Sequence, residues 1–154
     1  MKYYVSKENR HLKGEVALPA SKSISNRALI IQALCDEKFQ IKNLSDSEDT
    51  KGLVEILNSE KNFFNVGNAG TNMRFLTSYF GNKEGEWTLT GSDRMKNRPI
   101  GILVNALKEM GVRIDYLEKE GFPPIKIHGT KLNGGVVDVI GNISSQFISS
   151  LLLI

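Results

Sequence analysis

The sequence predicts a mixed α/β fold, and three observations carry that prediction. Short apolar runs with alternating polar neighbours recur along the chain, which is typical of strands. Between these runs, apolar residues recur at the three- and four-residue spacing of helices. The two patterns alternate, which argues against both a helix bundle and a β-sandwich. A length of 154 residues, with 40% hydrophobic and 24% charged residues, fits one ordinary globular domain.

The first half of the chain is expected to alternate short strands with three helices. The first helix is predicted over Ser25–Cys35, where apolar side chains recur at helical spacing. Ser45 and Glu48 have the spacing of a capping box and predict the start of the second helix. The third helix is predicted to follow the sequence GNAGT at 67–71. The strands are predicted at 2–6, 13–19, 39–44 and 62–66.

The second half continues the alternation. Residues 86–91 predict a strand, and DRMKNRP at 93–99 predicts a loop. A helix is expected over Ile100–Met110, because Pro99 suits its first turn and Gly111 suits its end. A last helix is expected to begin at Ser144 and run to Ile154. Further strands are predicted at 112–117, 124–129 and 136–141.

Charge and hydropathy exclude two classes of partner. The 20 Lys and Arg residues against 17 Asp and Glu give a net charge of only +3, and no basic run is longer than a pair. A nucleic-acid partner is therefore not expected. No apolar stretch approaches the roughly 18–20 residues that cross a bilayer, and residues 1–10 lack the apolar core of a signal peptide. We expect no membrane partner and a cytoplasmic location.

Cysteine and histidine content argues against metal and redox sites. Cys35 is the only cysteine, which excludes an internal disulfide and a cysteine-rich metal site. We expect its thiol to be buried as a small apolar side chain. His11 and His128 are isolated and lack the spacing of metal ligands. The sequence therefore predicts no metal and no cofactor, and it lacks the Walker pattern of P-loop nucleotide sites.

Three predicted helices begin with the same kinds of small and polar residues. The segments ASKS (20–23), GNAGT (67–71) and GNISSQ (141–146) each offer small residues, hydroxyls and backbone N–H groups. The first N–H groups of a helix have no intrahelical partner, and the helix dipole adds partial positive charge there, so such starts favour anions. A single helix start of this kind is more often structural, since Ser, Thr and Asn are the standard caps.

The surplus of polar groups at the first helix favours an anion site over a cap. The segment ASKSISNR (20–27) has more hydroxyls than one cap uses, and it adds Lys22 and Arg27. Ser23 and Arg27 share a helix face at four-residue spacing, and a guanidinium binds carboxylate or phosphate with two parallel hydrogen bonds. The loop at 91–99 adds Arg94, Lys96 and Arg98, although a solvated turn explains the first two equally well. We predict that Lys22, Arg27 and Arg98 face one hollow that binds acidic metabolites.

Four segments in this order resemble the 5-enolpyruvylshikimate-3-phosphate synthase family. The resemblance runs from about Val16 to the last residue. It implies transfer of the enolpyruvyl group from phosphoenolpyruvate to the 5-hydroxyl of shikimate 3-phosphate, with release of phosphate, in the shikimate pathway to the aromatic amino acids. The segments are LPASKSISNRALI (18–30), GNAGTNMRFL (67–76), LTGSDRMKNRPIGILVNAL (89–107) and GNISSQFISSLL (141–152).

The family resemblance also implies an architecture. Members have two lobes, each built from three βαβαββ units, and the lobes close over the substrates. Residues 1–18 would be first strands that belong to the second lobe, and 19–154 a partial first lobe of about two units that binds shikimate 3-phosphate. Members are more than twice this length, so we expect part of a longer, monomeric enzyme. By itself this part is expected to bind weakly, to be inactive and to self-associate.

The resemblance assigns roles to individual residues. Lys22 would be catalytic and contact both substrates, and Asp49 is a weaker catalytic candidate. Two positions depart from the common pattern: Phe75 stands where many members have proline, and Asn72 where many have alanine. Because this stretch flanks the site of the inhibitor glyphosate, the resemblance does not extend to inhibitor sensitivity. The expected substrate-binding residues are Lys22, Ser23, Arg27, Asn68, Gly70, Thr71, Arg98, Ser144, Ser145 and Gln146.

Two other functions stay open on the sequence. The related enolpyruvyl transferase acting on UDP-N-acetylglucosamine shares the fold and the donor. It normally carries Lys-Asn where this chain has Lys22 and Ser23, lacks the SSQ motif, and often has a cysteine in a catalytic loop, whereas Cys35 lies in the first predicted helix. The second alternative is a lobe that binds a phosphorylated ligand without turnover.

Overall fold

The computed structural model describes residues 2–6, 8–9, 11, 13–37, 39–140 and 144–154. The helices and strands in these ranges confirm the mixed α/β class. They are α1 (Lys22–Leu34), α2 (Glu48–Leu57), β1 (Phe63–Asn65), α3 (Gly70–Gly81), β2 (Gly85–Thr90), α4 (Asp93–Lys96), α5 (Gly101–Glu109), β3 (Arg113–Tyr116), β4 (Ile125–Gly129) and α6 (Ser145–Leu151).

The strands form one four-stranded sheet in the order β1-β2-β4-β3. β1 and β2 are parallel, so their connection needs a crossover, and α3 supplies it. β2 pairs antiparallel with β4, and β4 pairs antiparallel with β3. From β1 to β4 the major elements follow the order β-α-β-α-β-β, which is one complete unit of the kind that the family resemblance predicts.

Helix α3 is the centre of the fold. It contacts the sheet through β2 and β4, and it also packs against α1, α2, α5 and α6. The apolar side chains form one broad stripe, and the polar Asn72, Thr77 and Ser78 are buried as well, so the helix is enclosed on more than its apolar face. Phe75 and Leu76 are at most 1% exposed, and Phe80 stacks on Phe64 and Trp87 with ring centroids 5.5 and 5.0 Å apart. Every helix that carries a predicted site residue is therefore anchored to one core.

The strands predicted at 2–6, 13–19, 39–44 and 136–141 are not formed in the described residues, and residue 141 lies outside them. A strand forms by pairing with another strand, and the sheet of the described residues contains only β1 to β4. Val5, Val16 and Val136 are 97%, 81% and 99% exposed, so the alternating pattern does not correspond to a buried face in these segments. In 39–44, Asn43 has φ of 58°, which is incompatible with a continuous strand.

Two helix starts differ from the prediction because a different serine supplies the cap. α1 begins at Lys22, three residues early, since the Ser21 hydroxyl accepts a hydrogen bond from the Ile24 amide at 3.4 Å. α2 is capped by Ser47, whose hydroxyl accepts from the Thr50 amide at 3.4 Å. The capping box predicted for Ser45 is therefore wrong.

Three smaller expectations also need correction. The predicted loop at 93–99 contains the short helix α4, which Ser92 caps by accepting from the Met95 amide. The last helix ends at Leu151, before Ile154. Cys35 is the C-cap residue of α1 and is exposed, so the expectation of a buried thiol is wrong.

Within the described residues, no helix combines the length and hydrophobicity needed to cross a bilayer.

Candidate functional site

A buried hydrogen-bond network brings the starts of α1, α2 and α3 together. The Asn26 amide of α1 donates to Asn72 Oδ1 of α3 at 2.9 Å and accepts from the Thr50 hydroxyl of α2 at 2.7 Å. The Asn72 amide donates in turn to the Asp49 carbonyl oxygen at 2.6 Å. The side chains of Asn26, Thr50 and Asn72 are at most 2% exposed. Since buried polar groups are costly to leave unpaired, this network fixes the three helix starts relative to one another.

Lys22 and Asp49 meet at the exposed edge of this network. Their side chains form an ion pair with 2.9 Å between Nζ and Oδ2, and they are 47% and 28% exposed. An ion pair this exposed contributes about 0–1 kcal/mol to folding. The pair therefore does little for stability, but it places the two residues predicted to be catalytic side by side.

Arg27 connects α1 to α6 across α3. Its guanidinium donates to the Ser23 carbonyl oxygen at 2.9 Å and to the Ser149 hydroxyl at 3.4 Å. The same group lies over the buried ring of Phe75, 5.3 Å from the ring centroid. Ser149 is held by its own hydrogen bond to the Ser145 carbonyl oxygen at 2.9 Å. The start of α6 thus joins the other helix starts through Arg27.

A second arginine, Arg74, ties α6 directly to the start of α3. Its guanidinium donates to the Gly70 carbonyl oxygen and to Gln146 Oε1, both at 3.0 Å. Gln146 also donates to the Thr71 hydroxyl at 3.2 Å. The sequence motifs do not single out Arg74, although it lies four residues after Gly70 and so on the same helix face. It contacts two residues predicted to bind substrate, and Gln146 links it to a third.

Arg98 completes the cluster from the loop after α4. Its guanidinium lies so close to Gly70 that an added Cβ would collide with it, which is a physical reason for glycine at this position. Burial and then the neighbouring charge of Arg98 lower the pKa of Arg74 from its ordinary value. In the described part of the chain, no carboxylate pairs with Arg27, Arg74 or Arg98. The three arginines therefore concentrate positive charge without a carboxylate partner of their own.

The remaining predicted residues lie around this cluster or at its edge. Asn68 accepts a hydrogen bond from Ser92 at 2.6 Å, which ties the segment before α3 to the cap of α4. Ser144 caps α6 by accepting from the Gln146 amide at 3.3 Å, while Ser145 is exposed. Lys96 pairs with Glu118 at 2.6 Å, which favours the surface-turn interpretation of this cation. We call Lys22, Arg27, Asp49, Gly70, Arg74, Arg98 and Gln146 the helix-start cluster.

A cavity of about 360 Å³ borders the cluster on one side. It lies between α2 and the segment that leads into α3, and Asp49, Asn68 and Asn72 contribute to its wall. Lys22, Arg98 and Gln146 do not line it, so this cavity is not the hollow that the sequence predicts for the cations. Among the described residues, no group of three His, Cys, Asp or Glu side chains is arranged to hold a metal ion.

Comparison with known proteins identifies the family. The family model described as EPSP synthase (3-phosphoshikimate 1-carboxyvinyltransferase) matches residues 6–61 and 55–154. The chain belongs to the EPSP synthase family. The 3-phosphoshikimate 1-carboxyvinyltransferase of Bacteroides fragilis (strain YCH46) is 48% identical over 154 residues, which are 100% of this chain and 37% of the relative. The protein of that name from Sulfurovum sp. (strain NBC37-1) is 42% identical over 170 residues, covering 94% of this chain and 40% of the relative.

The fold agrees with solved structures of EPSP synthase. The enzyme from Acinetobacter baumannii superposes with a TM-score of 0.78 at 23% identity, covering 91% of this chain and 37% of that chain. The resemblance drawn from four sequence segments is confirmed at the level of the family and the fold. This chain spans 37% to 40% of the length of the two curated relatives from Bacteroides fragilis and Sulfurovum.

Proposed function

We propose that this protein, at the full length of its relatives, transfers the enolpyruvyl group from phosphoenolpyruvate to the 5-hydroxyl of shikimate 3-phosphate and releases phosphate. One observation carries the proposal beyond family membership: four helix starts and the loop after α4 bring Lys22, Arg27 and Arg98 into one cluster, where the arginines have no carboxylate partner among the described residues. Each substrate carries a phosphate and a carboxylate. Two such anions bind side by side only where fixed positive charge and N–H donors offset their repulsion.

We assign the acceptor substrate to the α1 and α6 side of the cluster. Ser23 and Arg27 would bind the shikimate moiety, and Ser144 and Ser145 would bind its 3-phosphate. Arg27 suits this role, because its two hydrogen bonds to protein oxygens leave further N–H donors of its planar guanidinium for a carboxylate. Gln146 lies between the two sides and would contact both substrates.

We assign phosphoenolpyruvate to the α3 side. Asn68, Gly70 and Thr71 would form its loop, and Arg98 would pair with its acidic groups. The Arg98 guanidinium lies beside the Gly70 backbone, so one ligand bound there would contact both groups. Lys22 would contact both substrates from the edge of the network, with Asp49 beside it.

The chemistry assigned to these residues is positioning and electrostatic stabilisation. The 5-hydroxyl of the acceptor loses its proton to a base as its oxygen adds to C2 of phosphoenolpyruvate and an acid protonates C3, giving a tetrahedral intermediate. Loss of phosphate and of a C3 proton then restores the double bond. The cluster would hold the two anions in the relative positions that the reaction needs and would stabilise the charge of the intermediate. The acid and base would belong to residues outside these 154.

We extend the proposal to the architecture of the full enzyme. Residues 19–154 would be part of the first lobe, and residues 1–18 would be strands of the second. In support, Tyr4, Val5 and Leu18 are 94%, 97% and 83% exposed, which large apolar side chains rarely are unless another surface covers them. The full enzyme would act as a cytoplasmic monomer, whereas these 154 residues by themselves would bind weakly, turn nothing over and self-associate.

Calorimetry and a turnover assay test the proposal. In an enzyme of the relatives' length that carries this sequence, shikimate 3-phosphate should give binding heat and UDP-N-acetylglucosamine should give none. Adding phosphoenolpyruvate to the first acceptor should release phosphate. The reverse ligand preference would assign the chain to the rival transferase, and binding without phosphate release would make it a non-catalytic binding protein. The 154-residue chain assayed in parallel should release no phosphate.

A further inference from the structure

We propose that Phe75 is a positioning residue, which holds the Arg27 guanidinium in the orientation that binds the acceptor substrate. This inference rests on the proposed function, because Arg27 is there assigned to the shikimate moiety. Phe75 itself is 1% exposed and cannot contact a substrate. Its role would be exerted through the ring face on which Arg27 lies.

The guanidinium of Arg27 is held on three sides by different elements. Its own helix supplies the Ser23 carbonyl oxygen, and α6 supplies the Ser149 hydroxyl. The third side is the Phe75 ring of α3, 5.3 Å from ring centroid to guanidinium carbon. This distance is within the roughly 6 Å over which the negative face of an aromatic ring attracts a cation.

The ring contact matters because the two hydrogen bonds alone do not fix the group. The bond to Ser149 is long at 3.4 Å, and Ser149 is itself held only within α6. An arginine side chain has several rotatable bonds, so an unrestrained guanidinium loses much entropy when a ligand orders it. A ring that already restrains the group reduces that loss, and it does so without consuming an N–H donor that the ligand needs.

Two contacts between α1 and α3 have separate roles at this point. One residue before Arg27, Asn26 is locked to Asn72 of α3, which fixes the backbone of α1 against α3. Asn72 and Phe75 are three residues apart and face the same helix. The backbone register is therefore set by the amide pair, and the guanidinium orientation is set by the ring.

Site-specific fluorination of Phe75 tests this role without changing the packing much. Successive fluorine atoms weaken the negative ring face while the ring keeps its shape. In the full-length enzyme, the Kd for shikimate 3-phosphate should rise stepwise from phenylalanine through 4-fluoro to 3,4,5-trifluorophenylalanine, by about fivefold in total. The KM for phosphoenolpyruvate should stay within about twofold, since Arg98 does not contact the ring. Phe75→Leu should weaken acceptor binding at least as much as the trifluoro ring.

Phe80 provides the matched control. It is a second buried ring of α3, 3% exposed, and it stacks on Phe64 and Trp87 and not on an arginine. The same fluorinated series at Phe80 should alter the unfolding midpoint but not the Kd for shikimate 3-phosphate. A purely structural role for Phe75 predicts that the two series behave alike, or that the Kd follows the unfolding midpoint; either result would overturn the inference.

The experiment separates this inference from the proposed function. An unmodified enzyme that binds no shikimate 3-phosphate would overturn the proposed function itself. An enzyme that binds it with the same Kd at every degree of Phe75 fluorination would keep the proposed function and remove the role of Phe75. A stepwise rise in Kd at Phe75 alone would support both.

Discussion

The helix-start cluster and the outer face of the sheet arrange their positive charges in opposite ways. On the outer sheet face, formed by Glu86, Asp115, Lys126 and His128, each basic side chain meets a carboxylate. Lys126 pairs with Glu86 at 2.8 Å, and His128 lies between Glu86 and Asp115 at 2.9 and 2.8 Å. In the helix-start cluster, Arg27 and Arg74 donate to carbonyl, hydroxyl and amide oxygens and lie over aromatic rings 5.3 and 5.1 Å away.

The difference separates a surface whose charges cancel from the one that we propose binds anions. Charges that are paired across strands cancel, and such a surface has little left to offer an anion. Guanidinium groups held by neutral oxygens and rings keep their full charge, and Arg74 and Arg98 even repel one another. A like-charge pair of this kind is relieved when an anion binds between or beside the two groups. Lys22 is the exception in the cluster, since it already has Asp49.

Removing Lys22 should have the largest effect on function. Lys22→Ala should lower kcat/KM by about a hundredfold or more, because a positioned cation facing both anions stabilises charge that develops in the transition state. The unfolding free energy should change by less than about 1 kcal/mol, since the Lys22–Asp49 pair is exposed. Steady-state kinetics and urea unfolding of the full-length enzyme measure the two quantities.

Lys126→Ala on the outer sheet face is the matched control for Lys22. It removes a lysine from an ion pair of almost the same length, 2.8 Å, that lies between two strands and not between helices. Its kcat/KM should equal that of the wild type. Equal losses in both variants would mean that the position of the charge is irrelevant, and the contrast between the two surfaces would fail.

Breaking the buried amide network should have the next largest effect, this time on stability. Asn26→Leu keeps the number and branching of the side-chain heavy atoms but leaves Asn72 Oδ1 without its donor and deprives the Thr50 hydroxyl of its Asn26 acceptor. Leaving buried polar groups unpaired should reduce the unfolding free energy by about 2–3 kcal/mol. The urea midpoint should fall without a change in slope.

Asn105→Leu controls for the substitution itself. Asn105 lies on α5, is exposed, and is remote from the network. The same change there should alter the unfolding free energy by less than about 0.5 kcal/mol. If Asn26→Leu lowers the unfolding free energy as little as Asn105→Leu does, the three helix starts are held by apolar packing and not by the amides.

The sequence predicted the local parts of this site better than their connections. Lys22, Gly70 and Gln146 could be selected because each lies in a short segment with its own chemical signature. Asn26, Thr50 and Arg74 could not, since the hydrogen bonds that connect one helix to another through them span 24 to 72 residues. The helix patterns were informative because a helix satisfies its own hydrogen bonds. The strand patterns at 13–19 and 39–44 were misleading because a strand depends on a neighbour that periodicity does not reveal.

Adding one methyl group at Gly70 should have an intermediate effect on function. A Cβ there collides with Arg98, so Gly70→Ala should displace the guanidinium and raise the KM for phosphoenolpyruvate by about tenfold, an effect of about 1.4 kcal/mol. The Kd for shikimate 3-phosphate should change less. Gly52→Ala on α2 is the control, because an added Cβ there meets no atom within 4 Å. A KM that is unchanged in both variants would show that Arg98 does not bind this substrate.

Altering the outer sheet face should have the smallest effect, confined to acid pH. The hydrogen bond from His128 is the main cause that lowers the pKa of Asp115 from its ordinary value. The pKa of Glu86 is lowered mainly by a hydrogen bond from Lys126, and the one from His128 is the second cause. His128→Gln should therefore raise the pKa of Asp115 more than that of Glu86. Carboxyl chemical shifts followed through a pH titration measure both.

The sign of the stability effect follows from these directions. A carboxyl whose pKa is lowered by folding stabilises the fold above its unfolded pKa of about 4, and that stabilisation is lost as the pH falls through the lower folded value. His128→Gln should thus shift acid unfolding to slightly higher pH and leave kcat/KM at neutral pH unchanged. An Asp115 pKa that does not move would mean that His128 is not what lowers it. A fall in kcat/KM would mean that the paired surface also takes part in function, which the contrast with the helix-start cluster denies.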